Sequence, residues 1–270
     1  MTLLVQKPTG AKLLMRQSYV GTDDPDAAVY IAAVEAADGQ SLESAVQVAI
    51  HSFVKGCKAD GIWPAIKASC ILSGARTLAG ALVPLVGTAP TNVGPFVSGD
   101  YDRKTGLNKS ATGKRLNTNR NNNADPQNSF HMAVYATTAA IDSVFIGAGA
   151  ITNESGVSNF GINASNQYFL RNRCSTAPAV SVGALPTGLI GVNRSNSADF
   201  TYRTKGANAV RATASQAPYN GGIGVFATAE GVSGPNQLRF AFYSIGESLD
   251  LTLLDARVTQ LITTFAAVIP

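Results

Sequence analysis

The sequence predicts a mainly β protein, two antiparallel sheets stacked as a sandwich, with one helix towards each end of the chain. Three observations predict it. Ten short segments between residues 68 and 243 are rich in β-branched and aromatic residues and are separated by Gly, Asn, Ser or Pro. No long helical stretch lies between them to make parallel crossovers. Charged residues are only 14% of the 270 positions while hydrophobic ones are 45%, so Ser, Thr, Asn and Gly carry the polarity, as strands joined by tight turns require. A chain of this length buries roughly three quarters of its unfolded surface, enough for one large core.

Taken in order, residues 1–26 read as an extended arm punctuated by Gly10, Gly21 and the acidic turn Thr22-Asp23-Asp24-Pro25-Asp26. A segment without a core of its own gains order on a partner chain or adds a strand to its own sheet. The arm is expected to dock on another protein. Residues 27–67 form a helical lead-in. Within it Leu42, Val46, Ala49, Ile50 and Phe53 make one apolar stripe, predicting a helix over 41–57 that Ser41 caps and Gly56 or Gly61 ends. Trp63-Pro64 opens a further helical turn with proline at its first position.

Residues 68–270 are read as the sandwich with its C-terminal helix. Strands are expected at Ala68–Leu72, Ala81–Leu85, His131–Ala136, Val144–Gly147, Gln167–Arg171, Leu189–Asn193, Phe200–Arg203, Ala209–Ala212, Gly224–Ala227 and Leu238–Tyr243. The basic stretch Arg103–Arg120, with Lys104, Lys109, Lys114 and Arg115, reads as a long solvated loop; contact with an acidic partner such as a phosphorylated glycan is the alternative. Over the last twenty residues Leu254, Val258, Leu261, Ile262 and Phe265 form a second helical stripe, with Glu247 and Asp250 near its positive end.

The chemistry-bearing residues are sparse. A net charge of +4 is too small for a nucleic-acid surface. Cys57, Cys70 and Cys174 are odd in number and far apart, so they read as buried free thiols rather than disulfides or a metal knuckle. The two histidines, His51 and His131, have no zinc-ligand company in sequence, and no GxSxG elbow or Walker lysine occurs. Asp100 and Asp102 flank Tyr101 and share a side if that segment is extended, which makes them calcium candidates; otherwise they are a solvated pair beside Arg103 and Lys104. No apolar run matches a signal-peptide core or the roughly 20 residues of a membrane span, so the chain is expected to be soluble and made in the cytoplasm. No internal repeat is present. No catalytic residue, cofactor or metal is expected, and the chain is not expected to be an enzyme.

Five stretches resemble a family of bacteriophage virion proteins. They are Gly61-Ile-Trp-Pro-Ala-Ile-Lys, Gly80-Ala-Leu-Val-Pro-Leu-Val-Gly-Thr-Ala-Pro-Thr-Asn, Gly99-Asp-Tyr-Asp-Arg-Lys-Thr-Gly-Leu, Asp125-Pro-Gln-Asn and Ala241-Phe-Tyr-Ser-Ile-Gly-Glu. The family, frequent among phage structural and tail proteins including those of cyanobacterial phages, is similar to concanavalin A-like or laminin-G-type sandwiches. The resemblance implies a two-sheet antiparallel jelly roll, a home in the virion, release from the host bacterium by lysis, and a homo-oligomer that meets other virion proteins through the N-terminal arm. It implies a non-enzymatic structural component on the tail or a fibre or spike. Alternatives are a capsid decoration protein and a module binding host-surface carbohydrate, with Tyr101, Tyr168 and Tyr219 as candidate sugar platforms. A depolymerase in which Asp100, Asp102 and Glu247 converge is a further alternative.

Overall fold

A computed structural model of the chain describes residues 23–149, 154–175, 180–232, 234 and 237–270; residues 1–22 of the expected arm lie outside these. The acidic turn that closes that arm is instead a helix start. Pro25 sits in the first turn, the Asp24 carboxylate accepts from the Asp26 and Ala27 amides, and α1 runs Pro25–Asp38 to a left-handed Gly39. Its buried positions are Ala27, Tyr30, Ile31 and Val34, a spacing of 3, 4 and 7. Helix α2 (Ser44–Ala59) follows the expected stripe, capped by Glu43 rather than Ser41. A single turn, α3 (Leu78–Ala81), replaces the strand expected at Ala81–Leu85. The Asp38 carboxylate accepts from the Arg76 and Thr77 amides and pins that turn, leaving Val86 to make one bridge with Ser69. Helix α4 (Leu251–Val268) starts at Asp250, which caps the Thr252 amide at 2.7 Å.

The strands, in chain order, are β1 (Ile66–Ile71), β2 (Thr91–Val93), β3 (Tyr101–Asp102), β4 (Gly106–Lys109), β5 (Arg115–Asn121), β6 (Phe130–Thr138), β7 (Ser143–Ala148) and β8 (Ser158–Ile162). They continue with β9 (Gln167–Asn172), β10 (Val180–Ser181), β11 (Gly188–Arg194), β12 (Phe200–Thr204), β13 (Ala207–Arg211), β14 (Gly222–Val225) and β15 (Leu238–Gly246). The first sheet has the order β13-β12-β11-β6-β15-β4-β3, with β1 beside β4 on the free edge of β15. The second has the order β10-β9-β8-β7-β14-β5-β2. Every pairing between these strands is antiparallel. The expected two-sheet sandwich with helices towards both ends is the observed fold.

The stretch read as a solvated loop, Arg103–Arg120, instead supplies β4 and most of β5. Leu107 and Leu116 are buried, and so are the polar Lys109 and Thr118, which disguises the alternation in sequence. The Lys109 ammonium is satisfied by the Gly234 carbonyl.

Between the sheets Phe226 stacks on Phe240 at 4.6 Å, and Phe145 meets Phe240 edge-on at 5.6 Å. The outer face of the first sheet is apolar as well, and α1, α2 and α4 cover it as a third layer. Phe53 of α2 packs edge-on against Phe242 of β15, while Leu254, Val258 and Phe265 of α4 are buried there. Arg257 of α4 holds Asp60, at the end of α2, through both carboxylate oxygens at 2.6 and 2.8 Å. Helix α4 is long and apolar enough to cross a membrane by length and composition, with mean hydropathy 1.2, which corrects the expectation that no such stretch exists. In this fold its apolar stripe is spent on the sheet and on α2.

Two of the stretches resembling virion proteins, Gly99–Leu107 and Ala241–Glu247, fall where this helical layer is fastened to the sheet. Arg103 donates to both Glu43 carboxylate oxygens and to the Gly74 and Ala75 carbonyls, tying the β3–β4 turn to the start of α2. Gly246 ends β15 against the one-turn helix Trp63–Ala65, where an added Cβ would sit 2.0 Å from the Ala65 carbonyl and 2.8 Å from the Lys67 amide. Both neighbours are backbone and cannot swing away. Gly246→Ala is therefore expected to lower stability by about 2–3 kcal/mol in denaturant titration; a cost below about 0.5 kcal/mol would mean that the contact relaxes.

Candidate functional site

Of the three tyrosines proposed as sugar platforms, one is buried and two are half-buried, and none lines the open cleft beside α4. Tyr168 is buried, with its hydroxyl 2.6 Å from the Thr204 hydroxyl. Tyr101 is half-buried and its hydroxyl donates to the Ala75 carbonyl at 2.7 Å. Tyr219 is half-buried against the core, in a segment bound at both its amide and its carbonyl. All three alternate or cluster with strand residues, so the sequence could not separate packing from display.

The acidic candidates are also dispersed. Asp100 is buried, accepting from Ser110 and Lys114 and from the Val97 amide at 2.8 Å. Asp102 is exposed and closes its own turn through the Lys104 and Thr105 amides. They do not share a site for calcium, and no cluster of three or more metal-ligating side chains occurs among the described residues. Glu247 binds Lys67 at 3.0 Å, far from both. Tyr101 pairs with Leu107 and Leu107 with Phe240, so Glu247, seven residues further along the β15 direction, lies roughly 20 Å from the aspartates at ~3.3 Å per residue. The three carboxylates expected of a depolymerase do not converge.

The histidines are structural. His51 accepts from the Asp24 amide at 3.2 Å. His131 is fully buried; Nδ1 is 2.6 Å from the Glu247 carbonyl and Nε2 is 2.8 Å from the Ser244 hydroxyl. A carbonyl only accepts, so Nδ1 carries the proton and Nε2 accepts from Ser244. Burial pushes the His131 pKa down to about 4. The three cysteines are buried free thiols, as expected.

A feature the sequence reading missed closes one end of the sandwich. Arg173 and Arg194 are both fully buried. Arg194 donates to the carbonyls of Asn172, Asn196, Asp199 and Thr213 at 2.9–3.3 Å, and Arg173 to those of Asn122, Asp125 and Pro126. Each guanidinium lies over an aromatic ring, Arg173 at 4.3 Å from Phe130 and Arg194 at 5.3 Å from Phe200. Burial lowers the Arg173 pKa to about 10, so it remains cationic at neutral pH. These cations gather loop backbones; Arg194 is engaged through all three nitrogens, while Arg173 bonds through its two terminal nitrogens and leaves its buried Nε without a hydrogen-bond partner.

The open concavity lies on the opposite, helix-covered side. It is a cleft of about 690 Å³ where α4 leaves the outer face of the first sheet uncovered. Its floor is Tyr135 and Thr137 of β6 with Leu189 of β11, and Ile262 of α4 makes one wall. Tyr135 is half-buried, and it points outward because its neighbours Val134 and Ala136 face the core. The cleft ends at two hairpin turns, Lys104–Thr105 between β3 and β4 and Lys205–Gly206 between β12 and β13. The second turn needs its sequence: Lys205 and Gly206 have φ of 50° and 74°, the left-handed pair of a tight hairpin.

Comparison with known proteins places this arrangement among solved folds. No family model matches the chain, and no curated protein matches it. Among solved structures, a Trypanosoma rangeli sialidase mutant displaying trans-sialidase activity is similar at 10% identity, over 80% of this chain and 39% of that one, with a TM-score of 0.47. The botulinum neurotoxin serotype D binding domain is similar at 12% identity, over 73% and 51%, with a TM-score of 0.45. A botulinum neurotoxin type C structure, titled for its dependence on two ganglioside molecules in cell entry, is similar at 11% identity, over 75% and 51%, with a TM-score of 0.47. The chain spans between about two fifths and one half of the length of these proteins. The expectation that the chain is not an enzyme is withdrawn: it rested on the absence of a familiar motif, and sialidases are among the similar solved structures.

Proposed function

We propose that this chain is a bacteriophage virion component, carried on the tail or on a tail fibre, that meets host-surface glycans in the cleft beside α4. The virion setting is supported by the resemblance of Gly61–Lys67, Gly99–Leu107 and Ala241–Glu247 to phage structural proteins. The observation that carries the binding reading is the cleft itself, an open groove of about 690 Å³ with an outward tyrosine on its floor and threonine hydroxyls and lysines around it. A sugar ring offers an apolar face to an aromatic and hydroxyls to polar side chains, and a site of this make-up meets both demands. Openness suits a ligand that is one stretch of a long surface polymer.

The test has two parts. On an array of bacterial-surface glycans the purified chain is expected to bind a subset, and Tyr135→Ala to bind those about tenfold more weakly. An array without hits refutes the binding role. In fractionated phage lysate, the chain is expected to sediment with particles on a density gradient. Recovery only in the particle-free fraction refutes the virion role.

A further inference from the structure

Resting on that reading, we infer that the cleft takes an acidic glycan, one whose sugar units carry carboxylate or phosphate groups. Two lysines line the cleft, one in each bounding turn. Lys104 is in none of the ion pairs among the described residues. Lys205 donates to the Val182 carbonyl, outside the cleft lining, so its ammonium is anchored at the rim with no carboxylate partner. The one carboxylate in the lining, Asp255, is already committed on both oxygens, to Arg203 Nε at 2.7 Å and to the Thr259 hydroxyl at 3.0 Å. Arg203 in turn donates to the Asn208 side chain at 2.9 Å. Arg203 and Asp255 cancel, and the groove is left with two positive charges and no free carboxylate to oppose them.

The strand order sets their placement. The Lys104 turn belongs to the β3–β4 edge and the Lys205 turn to the β12–β13 edge, with β15, β6 and β11 between β4 and β12. Four strand spacings of about 4.8 Å separate β4 from β12 by roughly 19 Å. A charge at either end of a groove of that length, with Tyr135 between them, fits an extended chain bearing repeated anionic groups better than a single neutral sugar. Ammonium groups bind carboxylate and phosphate alike, so this chemistry covers uronate polymers and glycerol-phosphate polymers both.

Titration calorimetry on the purified chain tests this, with three probes: a galacturonate oligomer, a neutral galactose oligomer of equal length, and a glycerol-phosphate oligomer. At least one acidic probe is expected to bind tenfold or more tightly than the neutral one, and to weaken sharply between about 0.05 and about 0.5 M salt. Which acidic probe binds identifies the anionic group. Lys104→Gln and Lys205→Gln, both turn substitutions, are each expected to weaken acidic-probe binding about tenfold, Lys104→Gln without lowering thermal stability and Lys205→Gln with only a small drop as its bond to Val182 is lost. Equal or tighter binding of the neutral oligomer overturns the inference, as does unchanged affinity in both glutamine variants. Array hits confined to neutral glycans overturn the acidic preference and leave the cleft's binding role standing; an array with no hits removes both.

Discussion

Arg194→Met is expected to cost the protein about 3–5 kcal/mol of folding stability, the largest single-site loss predicted for this chain. Methionine refills the aliphatic volume over Phe200 but donates nothing. Four carbonyls, from Asn172, Asn196, Asp199 and Thr213, then lose their donor at the closed end of the sandwich. Because those residues belong to three separate stretches of chain, no local rearrangement replaces the guanidinium. Arg194→Lys should recover little, since one ammonium cannot reproduce the planar fork that reaches all four. Equilibrium denaturation of both variants is the measurement. A loss under about 1 kcal/mol for the methionine variant would show that the loops hold themselves together and that Arg194 merely fills space.

The second large effect is a loss of stability on mild acidification. His131 is neutral in the folded protein, with its pKa pushed to about 4, and ordinary near 6.5 in the unfolded chain. Between those two values the unfolded chain binds a proton that the folded one refuses. Stability is therefore fully present above pH ~6.5, falls as the pH drops, and loses roughly 3 kcal/mol by pH ~4, where the contribution levels off. His131→Gln, which keeps a donor near the Glu247 carbonyl without the titration, should flatten the profile in that window. The carboxylates act lower. The Arg103 hydrogen bonds hold Glu43 below its ordinary range, and those of Arg257 do the same for Asp60, so their contributions are lost only as the pH falls beneath the ordinary carboxylate values. An unchanged slope between pH 6.5 and 4 in the glutamine variant would assign the acid sensitivity elsewhere.

Much of the architecture was legible because periodicity is a property of the chain alone. The stripes through Val46 and Phe53, and through Leu254 and Phe265, had to be helical and had to be covered, and both are buried against the outer face of the first sheet. The alternation in Leu238–Tyr243 likewise announced a strand, though a bulge within β15 shifts its register against β6 so that Phe242 joins the helical side rather than the core of Phe240. Helix α1 falls within the helical lead-in expected over 27–67 but had no bounds of its own because its stripe is short, yet Asp24-Pro25 was a cap and first-turn pair that could have fixed its start. The strands β4 and β5 hid because the residues turned inward include Lys109 and Thr118, whose burial is made tolerable by carbonyl partners far along the chain, at Gly234 and Ile223.

The candidate site lay beyond sequence reasoning for a related cause. Tyr135 alternates in a strand like any packing tyrosine, and nothing local shows that the helix above it stops short. Lys104 and Lys205 are about a hundred residues apart, and only the strand order brings their turns to one groove. By itself the sequence determined the two apolar helical stripes, most of the longer strands and that two antiparallel sheets would stack, since these follow from spacing and side-chain shape within a few residues. The tertiary structure alone decided which polar groups are satisfied, which charges are left over and where the surface stays open, because each of these depends on what arrives from elsewhere in the chain.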